Sequence, residues 1–401
     1  MQHIKVSAEN KEVGILFKEP DTNRYVFNYH SENNQISLIM PCKLSSYTWA
    51  NKLHPIFDMY MPEGYLFELF KNLLAKEYGY VDDYLIFNCI CPNIESRLTF
   101  KSEYRPGKFP VFDLEEIITD DSPDTFSKLV SAYMKKNSVG GVHPKTIALV
   151  KSKESITEKE YILKTWGEEY DQLALNEYFC LKAVEKTGVP IPKTILSSKN
   201  KFLLVERFNF DRKNNRYFGF EEILSLLGKN KEEKYSGSYE KVAETIRNIT
   251  TETQDSMRDF FKIIVMNYLL KNGDAHLKNF GILYTQNDGN GFNVRLAPAY
   301  DIVNTVVYSQ KDKPALTMFG KKLWYGKKEL IKFGVNYCSL NEKEAADIYD
   351  LCISCLKESV NDLTDYLKTN VDFINVGKKM LNIWRISLDE KTYKEIPHEF
   401  A

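Results

Sequence analysis

The sequence predicts an α+β chain that is rich in strands at its start and mostly helical at its end. Three observations lead there. Over roughly the first hundred residues, short apolar runs alternate with turn-forming punctuation. The middle holds two further β-type runs and one helical run, and beyond about residue 220 apolar residues recur at three-and-four spacing. With 401 residues, 43% of them hydrophobic and 13% aromatic, the chain has ample core material and is long for one compact domain, so two or three units are expected.

In order along the chain, "EVGILFK", "RYVFNYH" and "ISLIMP" read as strands of a small antiparallel sheet, separated by "EPDTN" and "SENNQ". "HPIFDMYMPEGYLFELFKNLLAKEYG" reads as a loop feeding a helix that stops at Gly79. Composition changes at "YRPGKFP", which places the end of this first unit near residue 105. An acidic helical segment follows. A glycine pair then opens onto a strand from Thr146 to Val150, and a polar turn leads to a second strand from Tyr161 to Lys164, a hairpin. "LALNEYFCLKAVEKTG" has helical period and closes on Gly188, and "KFLLVERF" reads as a buried strand. In the helical part, Met257, Phe260, Phe261, Ile264, Val265, Tyr268 and Leu269 share one helix face, which runs out at Asn272 and Gly273. "NFGILYT" and "FNVRLAP" flank the turn "QNDGNG" as two strands, and Asn341 with Glu344 forms a capping box for a later helix.

Several function classes are disfavoured. Lys+Arg 54 against Asp+Glu 55 gives no overall positive field for nucleic acid. The longest apolar run, Phe260 to Leu270, is broken by Lys262 and Asn267 and is shorter than the roughly 18 residues of a membrane span. The start lacks the apolar core of a signal peptide, so a soluble, cytoplasmic protein with no membrane partner is expected. The 7 cysteines are scattered and odd in number, which points to reduced thiols. Cys352 and Cys355, in "CISC", read as two buried thiols on one helix face rather than a redox or zinc pair.

The stretch "KNGDAHLKNFGIL" concentrates polar side chains directly after the apolar helix. It reads either as a polar turn or as part of a site for phosphoryl transfer. Transfer from ATP needs a cradle for the phosphates, a cation on them, oxygen ligands for Mg²⁺ and a carboxylate facing the attacking hydroxyl. Asp274 and Asn279 stand at the interval that separates the catalytic Asp from the metal-binding Asn of a kinase catalytic loop. Asp301, in "LAPAYDIVN", supplies an anionic second metal ligand. Upstream, Gly140 and Gly141 with Lys145 suit phosphate oxygens, Lys164 ends the next strand as a phosphate lysine, and Glu177 is its candidate partner. His276 is expected to brace the loop and Lys278 to reach the transferred phosphate. Each feature alone is weak, and their order is that of a kinase.

These residues resemble the HipA family of toxin kinases over nearly the whole chain. "SVGGVHPKTIAL" is similar to the family's Ser-x-x-Gly-x-x-x-Lys loop and "YILK" to its nucleotide-lysine segment. "NEYFCLKAVEKTGVPIP" resembles its Asn-Glu helix, "LLVERF" its hinge, "GDAHLKNFGI" its Asp-x-His-x-Lys-Asn-Phe signature and "LAPAYDIV" its metal-binding segment. His143-Pro144 and Val139-Gly140-Gly141 depart from the common loop pattern. The resemblance implies a bilobal, protein-kinase-like fold: an N-terminal subdomain over 1–105, a kinase N-lobe over 106–210 and a mostly helical C-lobe over 211–401. It further implies a Ser/Thr protein kinase using ATP and Mg²⁺, directed at the translation machinery. Such kinases are paired with a HipB-like helix-turn-helix antitoxin, through which alone they meet DNA. Carried over by residue, Asp274 is the catalytic carboxylate, Asn279 and Asp301 hold metal, and Glu206 and Phe208 contact adenine. Ser138 falls on the autophosphorylated loop serine, whose added charge of about −1.5 to −2 should weaken ATP binding. A small-molecule or lipid phosphotransferase, or a non-catalytic partner of a DNA-binding protein, are the alternatives.

Overall fold

The computed structural model describes residues 3–62, 64–103, 112–122, 125, 128, 145–151, 158–164, 170–287 and 291–389. In parts of 64–77, and at 112–113, 145–151 and 158–160, it describes the backbone alone. Ser138, Gly140 and Gly141 lie outside the described residues, as does the acidic helical segment for the most part. The chain divides into two compact units: 1–165 with 197–233 and 283–292, and 166–196 with 234–282 and 293–401.

The first unit opens on a five-stranded antiparallel sheet whose order is Tyr47–Ala50, Arg24–Tyr29, Lys11–Lys18, His3–Ala8 and Leu98–Lys101. The opening strand, to which sequence reading assigned no element, is second from one edge. Ile4, Val6 and Ala8 alternate inward and are fully buried, as strand geometry requires. Ile56, Phe57, Phe87 and Ile90 cover the sheet, with Phe57 and Phe87 against its own Phe100. The helix Gly64–Tyr78 stops where expected, at Gly79 with φ 75.

"ISLIMP" is not a strand, contrary to its apolar composition. It contributes one isolated bridge, Ser37 to Met40, because its backbone groups are taken by distant side chains. Tyr29 Oη donates to the Met40 carbonyl at 2.6 Å and accepts from Ile36 N at 2.9 Å. Glu221, fully buried, accepts from Leu38 N at 2.8 Å and Ser37 Oγ at 2.7 Å. The same unit carries the expected hairpin, with strands Lys145–Lys151 and Glu158–Lys164 and the strand Leu203–Glu206 beyond it.

The second unit is helical. Its central helix, Thr253–Leu270, buries Phe260, Phe261, Ile264, Val265, Leu269 and Leu270 completely. Around it pack Leu173–Glu185, Tyr239–Ile249, Glu342–Leu367 and Ile374–Leu388. Asn341 Oδ1 accepts from Glu344 N at 2.9 Å, the N-cap bond anticipated there. Cys352 and Cys355 are buried free thiols on that helix, and burial pushes the Cys352 thiol up. Among the described residues no helix is long and apolar enough to cross a membrane.

Candidate active site

The end of the central helix builds the site. Lys271, not Gly273, adopts the left-handed conformation that terminates the helix, at φ 58, and Asn272 N closes the turn on the Asn267 carbonyl at 2.8 Å. Gly273 serves a different purpose. A Cβ there would collide with the Asp312 carboxylate and the Thr305 hydroxyl, so any larger residue would force those side chains to move. Gly273 N donates to Thr305 Oγ1 at 2.8 Å, and Thr305 N donates to the Lys271 carbonyl at 3.2 Å.

Asn272 then braces the loop on three sides. Its Nδ2 donates to Asn267 Oδ1 at 2.8 Å and to the Asp301 carbonyl at 3.5 Å, and its Oδ1 accepts from Asp274 N at 3.1 Å. His276 N donates to the Asp274 carbonyl at 2.7 Å, and Asn279 N to the His276 carbonyl at 2.9 Å. Asp274 and Asn279 are thus both carried on this tight turn. Tyr300 Oη donates to the Lys278 carbonyl at 2.8 Å, which ties the segment carrying Asp301 to the same loop.

Asn279 Nδ2 donates to the Asp301 carbonyl at 3.3 Å, while Asn279 Oδ1 is buried without a hydrogen-bond partner. A buried amide oxygen left in that state costs about 1–3 kcal/mol unless something else satisfies it. A cation does so. Asn279 Oδ1 and the Asp301 carboxylate are hard oxygen donors of the kind Mg²⁺ prefers, and Mg²⁺ takes its other ligands from phosphates and water. Among the described residues no group of three His, Cys, Asp or Glu is placed to hold a metal. Asp301 itself has φ 55, an uncommon conformation for a residue with a side chain.

Asp274 is under opposing influences. Burial pushes its carboxyl up, Asp301 and Asp312 push the same way, and the hydrogen bond from Tyr235 with the charge of Lys234 opposes them. His276 is buried, with Nε2 4.0 Å from Asp274 Oδ1. Lys278 is likewise buried. Behind the loop, Lys271 is buried with Nζ 5.0 Å over the Trp324 ring, and burial brings it down to about 7.

The remaining expected residues are distributed as follows. Lys145 and Lys164 stand directly opposite each other across the hairpin, in the first unit. Glu206 pairs with Arg212, and Phe208 packs edge-on against Phe220 at 5.5 Å. Phe208, Ile162, Arg207, Phe220, Met59 and Arg97 are among the walls of a cavity of about 110 Å³ in that unit. Glu177 is buried on the helix Leu173–Glu185, in the second unit. Its neighbour Asn176, the Asn of that Asn-Glu segment, was given no role by the sequence; its Nδ2 donates to the Asn304 carbonyl at 3.0 Å and its Oδ1 accepts from Asn304 N at 2.8 Å. Sequence reading also missed Tyr235, Thr305 and Asp312. Asn176 and Asn272 sit beside motif residues, a usable signal, whereas the other three carry none.

The family model for the HipA-like C-terminal domain matches residues 137–360, more than half of the chain, and that for the HipA N-terminal domain matches 4–90. The chain belongs to the HipA family. Within this HipA chain the C-terminal match contains Asn176, Tyr235, Asp274, Asn279, Asp301 and Asp312. A Haemophilus influenzae protein named "Putative kinase" is 30% identical over 189 residues, 43% of this chain and 54% of that one. "Putative kinase Y4dM" of Sinorhizobium fredii is 24% identical over 293 residues, 67% and 66% of the two chains. The HipA chain thus spans about half the length of the first of these relatives. Among solved structures, the HipA, HipB and operator DNA complex of Shewanella oneidensis MR-1 matches at a TM-score of 0.68 and 15% identity, covering 98% of this chain and all of that one. The α+β, kinase-like fold expected from the sequence is therefore the fold found.

Proposed function

We infer that the protein is an ATP- and Mg²⁺-dependent serine/threonine protein kinase of the toxin type. The observation that supports the reading is that Asn272 and Asn279 both donate to the Asp301 carbonyl while Asn272 also holds Asp274 N, with Asn279 Oδ1 buried beside them. Asp274 faces the acceptor hydroxyl and receives its proton as the hydroxyl oxygen bonds to the γ-phosphorus and the bond to ADP breaks. Asn279 Oδ1 and the Asp301 carboxylate would hold Mg²⁺, which when bound offsets negative charge on the phosphate oxygens. Lys164 is assigned to the phosphates and Glu177 to its support. Glu206 and Phe208 are assigned to the adenine base, as family membership implies.

The finer parts of the reading rest on family membership. Substrates in the translation machinery, a HipB-like antitoxin and autophosphorylation at Ser138 as a self-limiting step are assigned on that basis, with cytoplasmic action. The test is incubation with radiolabelled ATP and Mg²⁺ in the presence of cell-lysate protein. The wild type should label protein on serine or threonine, and Asp274→Asn and Asp301→Ala should label it at least about 100-fold more slowly. Label in a small metabolite would favour a small-molecule phosphotransferase, and undiminished labelling by both variants would refute the assignment.

A further inference from the structure

Tyr235 lies outside every motif above, on the loop before the helix Tyr239–Ile249. Its hydroxyl nevertheless donates to Asp274 Oδ1 at 2.8 Å. Its ring packs edge-on against His276, with centroids 5.1 Å apart and planes at 77°. The loop is fixed where it stands, because the Lys234 carbonyl accepts from Leu277 N at 3.1 Å and Tyr239 Oη donates to the Ala275 carbonyl at 3.1 Å. His276 Nε2 also lies on the Oδ1 side of the carboxylate. Among the described residues no side chain or backbone group donates to Asp274 Oδ2, although the Asp274 side chain is 34% exposed. The carboxylate is therefore asymmetric, with one oxygen tied to protein and the other open.

We propose that Tyr235 is a positioning residue for phosphoryl transfer, tying down Asp274 Oδ1 so that Oδ2 alone faces the acceptor hydroxyl. The inference rests on the reading of Asp274 as the acceptor-facing carboxylate. A carboxylate at the end of a short rotatable side chain samples several orientations, and a hydrogen bond that selects one of them lowers the entropic cost of reaching the reactive geometry. In the step itself the acceptor proton passes to Oδ2 and Tyr235 keeps its own. The same bond favours the ionised form that the reaction needs. It works against burial and the charges of Asp301 and Asp312, with help from Lys234, while His276 and Tyr239 are the other titratable groups facing Asp274.

The test is the pH dependence of the initial rate of ³²P transfer from ATP to lysate protein, for wild type and Tyr235→Phe. Phenylalanine keeps the ring against His276 and removes only the hydroxyl. The expected result is a rate about 10-fold lower at neutral pH, as for loss of one hydrogen bond to a charged group, with the acidic limb displaced to higher pH and ATP affinity unchanged. The limb position is a ratio across pH, so it does not depend on the fraction of variant that folds. A variant with the wild-type rate and the wild-type limb overturns the inference. A faster variant overturns it too, since the phenol would then be occupying the acceptor's place. Failure of the underlying reading looks different: wild type transfers no label, or Asp274→Asn transfers it as well as wild type.

Discussion

Lys271 offers a quantitative test of how the site is embedded. An ordinary lysine has a pKa of 10.5, and burial brings Lys271 down to about 7. Between those values the unfolded chain holds a proton that the folded chain releases. For a base with a depressed folded value the cost of folding is complete below pH 7, and stability rises as pH climbs toward 10.5. A span of about 3.5 pH units at 1.36 kcal/mol each sets an upper bound of about 5 kcal/mol. Integrated from pH 6 to pH 9, the linkage relation gives a rise of about 2–3 kcal/mol. Lys271→Met keeps the aliphatic stem against Trp324 and removes the titrating group. Guanidinium unfolding of both proteins at pH 6, 7.5 and 9 is the assay. Other ionisable groups contribute equally to the two proteins, so their difference isolates Lys271. The Met variant should be the more stable at pH 6, with the gap closing by about 2–3 kcal/mol at pH 9. Parallel curves would refute the reasoning.

Two further substitutions probe the frame around the loop that carries Asp274. Gly273→Ala puts a methyl group into the Asp312 carboxylate and the Thr305 hydroxyl, and is expected to cost about 1–3 kcal/mol by overpacking and to slow transfer more than 10-fold; wild-type rate and melting temperature in this variant would show that the turn has room to spare. Asn176→Ala strips the partners from the Asn304 N–H and carbonyl, both on a residue with no exposure, and should lower stability by about 1–3 kcal/mol for each buried group left unsatisfied, read by chemical denaturation.

What could be read in advance was whatever the chain decides locally. The face of Met257, Phe260, Phe261 and Ile264 gave the central helix, because three-and-four spacing is a property of consecutive residues. The Asn341 cap was legible for the same reason. Errors arose where distant groups decide. "ISLIMP" has strand composition, but the hydroxyl of Tyr29 and the carboxylate of Glu221 claim its backbone. Gly273 has the composition of a helix stop, yet its smallness answers to Asp312 and Thr305, more than thirty residues on. Tyr235 is one of 25 tyrosines, and only its distance from Asp274 sets it apart.

Asp301 shows what the site demands of its own backbone. A left-handed residue with a side chain is less comfortable than glycine would be in the same place, and its carboxylate adds negative charge beside Asp274. On the metal-ligand reading proposed above, both burdens are borne for the sake of a cation. In a lineage released from that role, glycine at 301 would relieve the backbone and the charge, so position 301 is one where loss of the role should become visible in a gene.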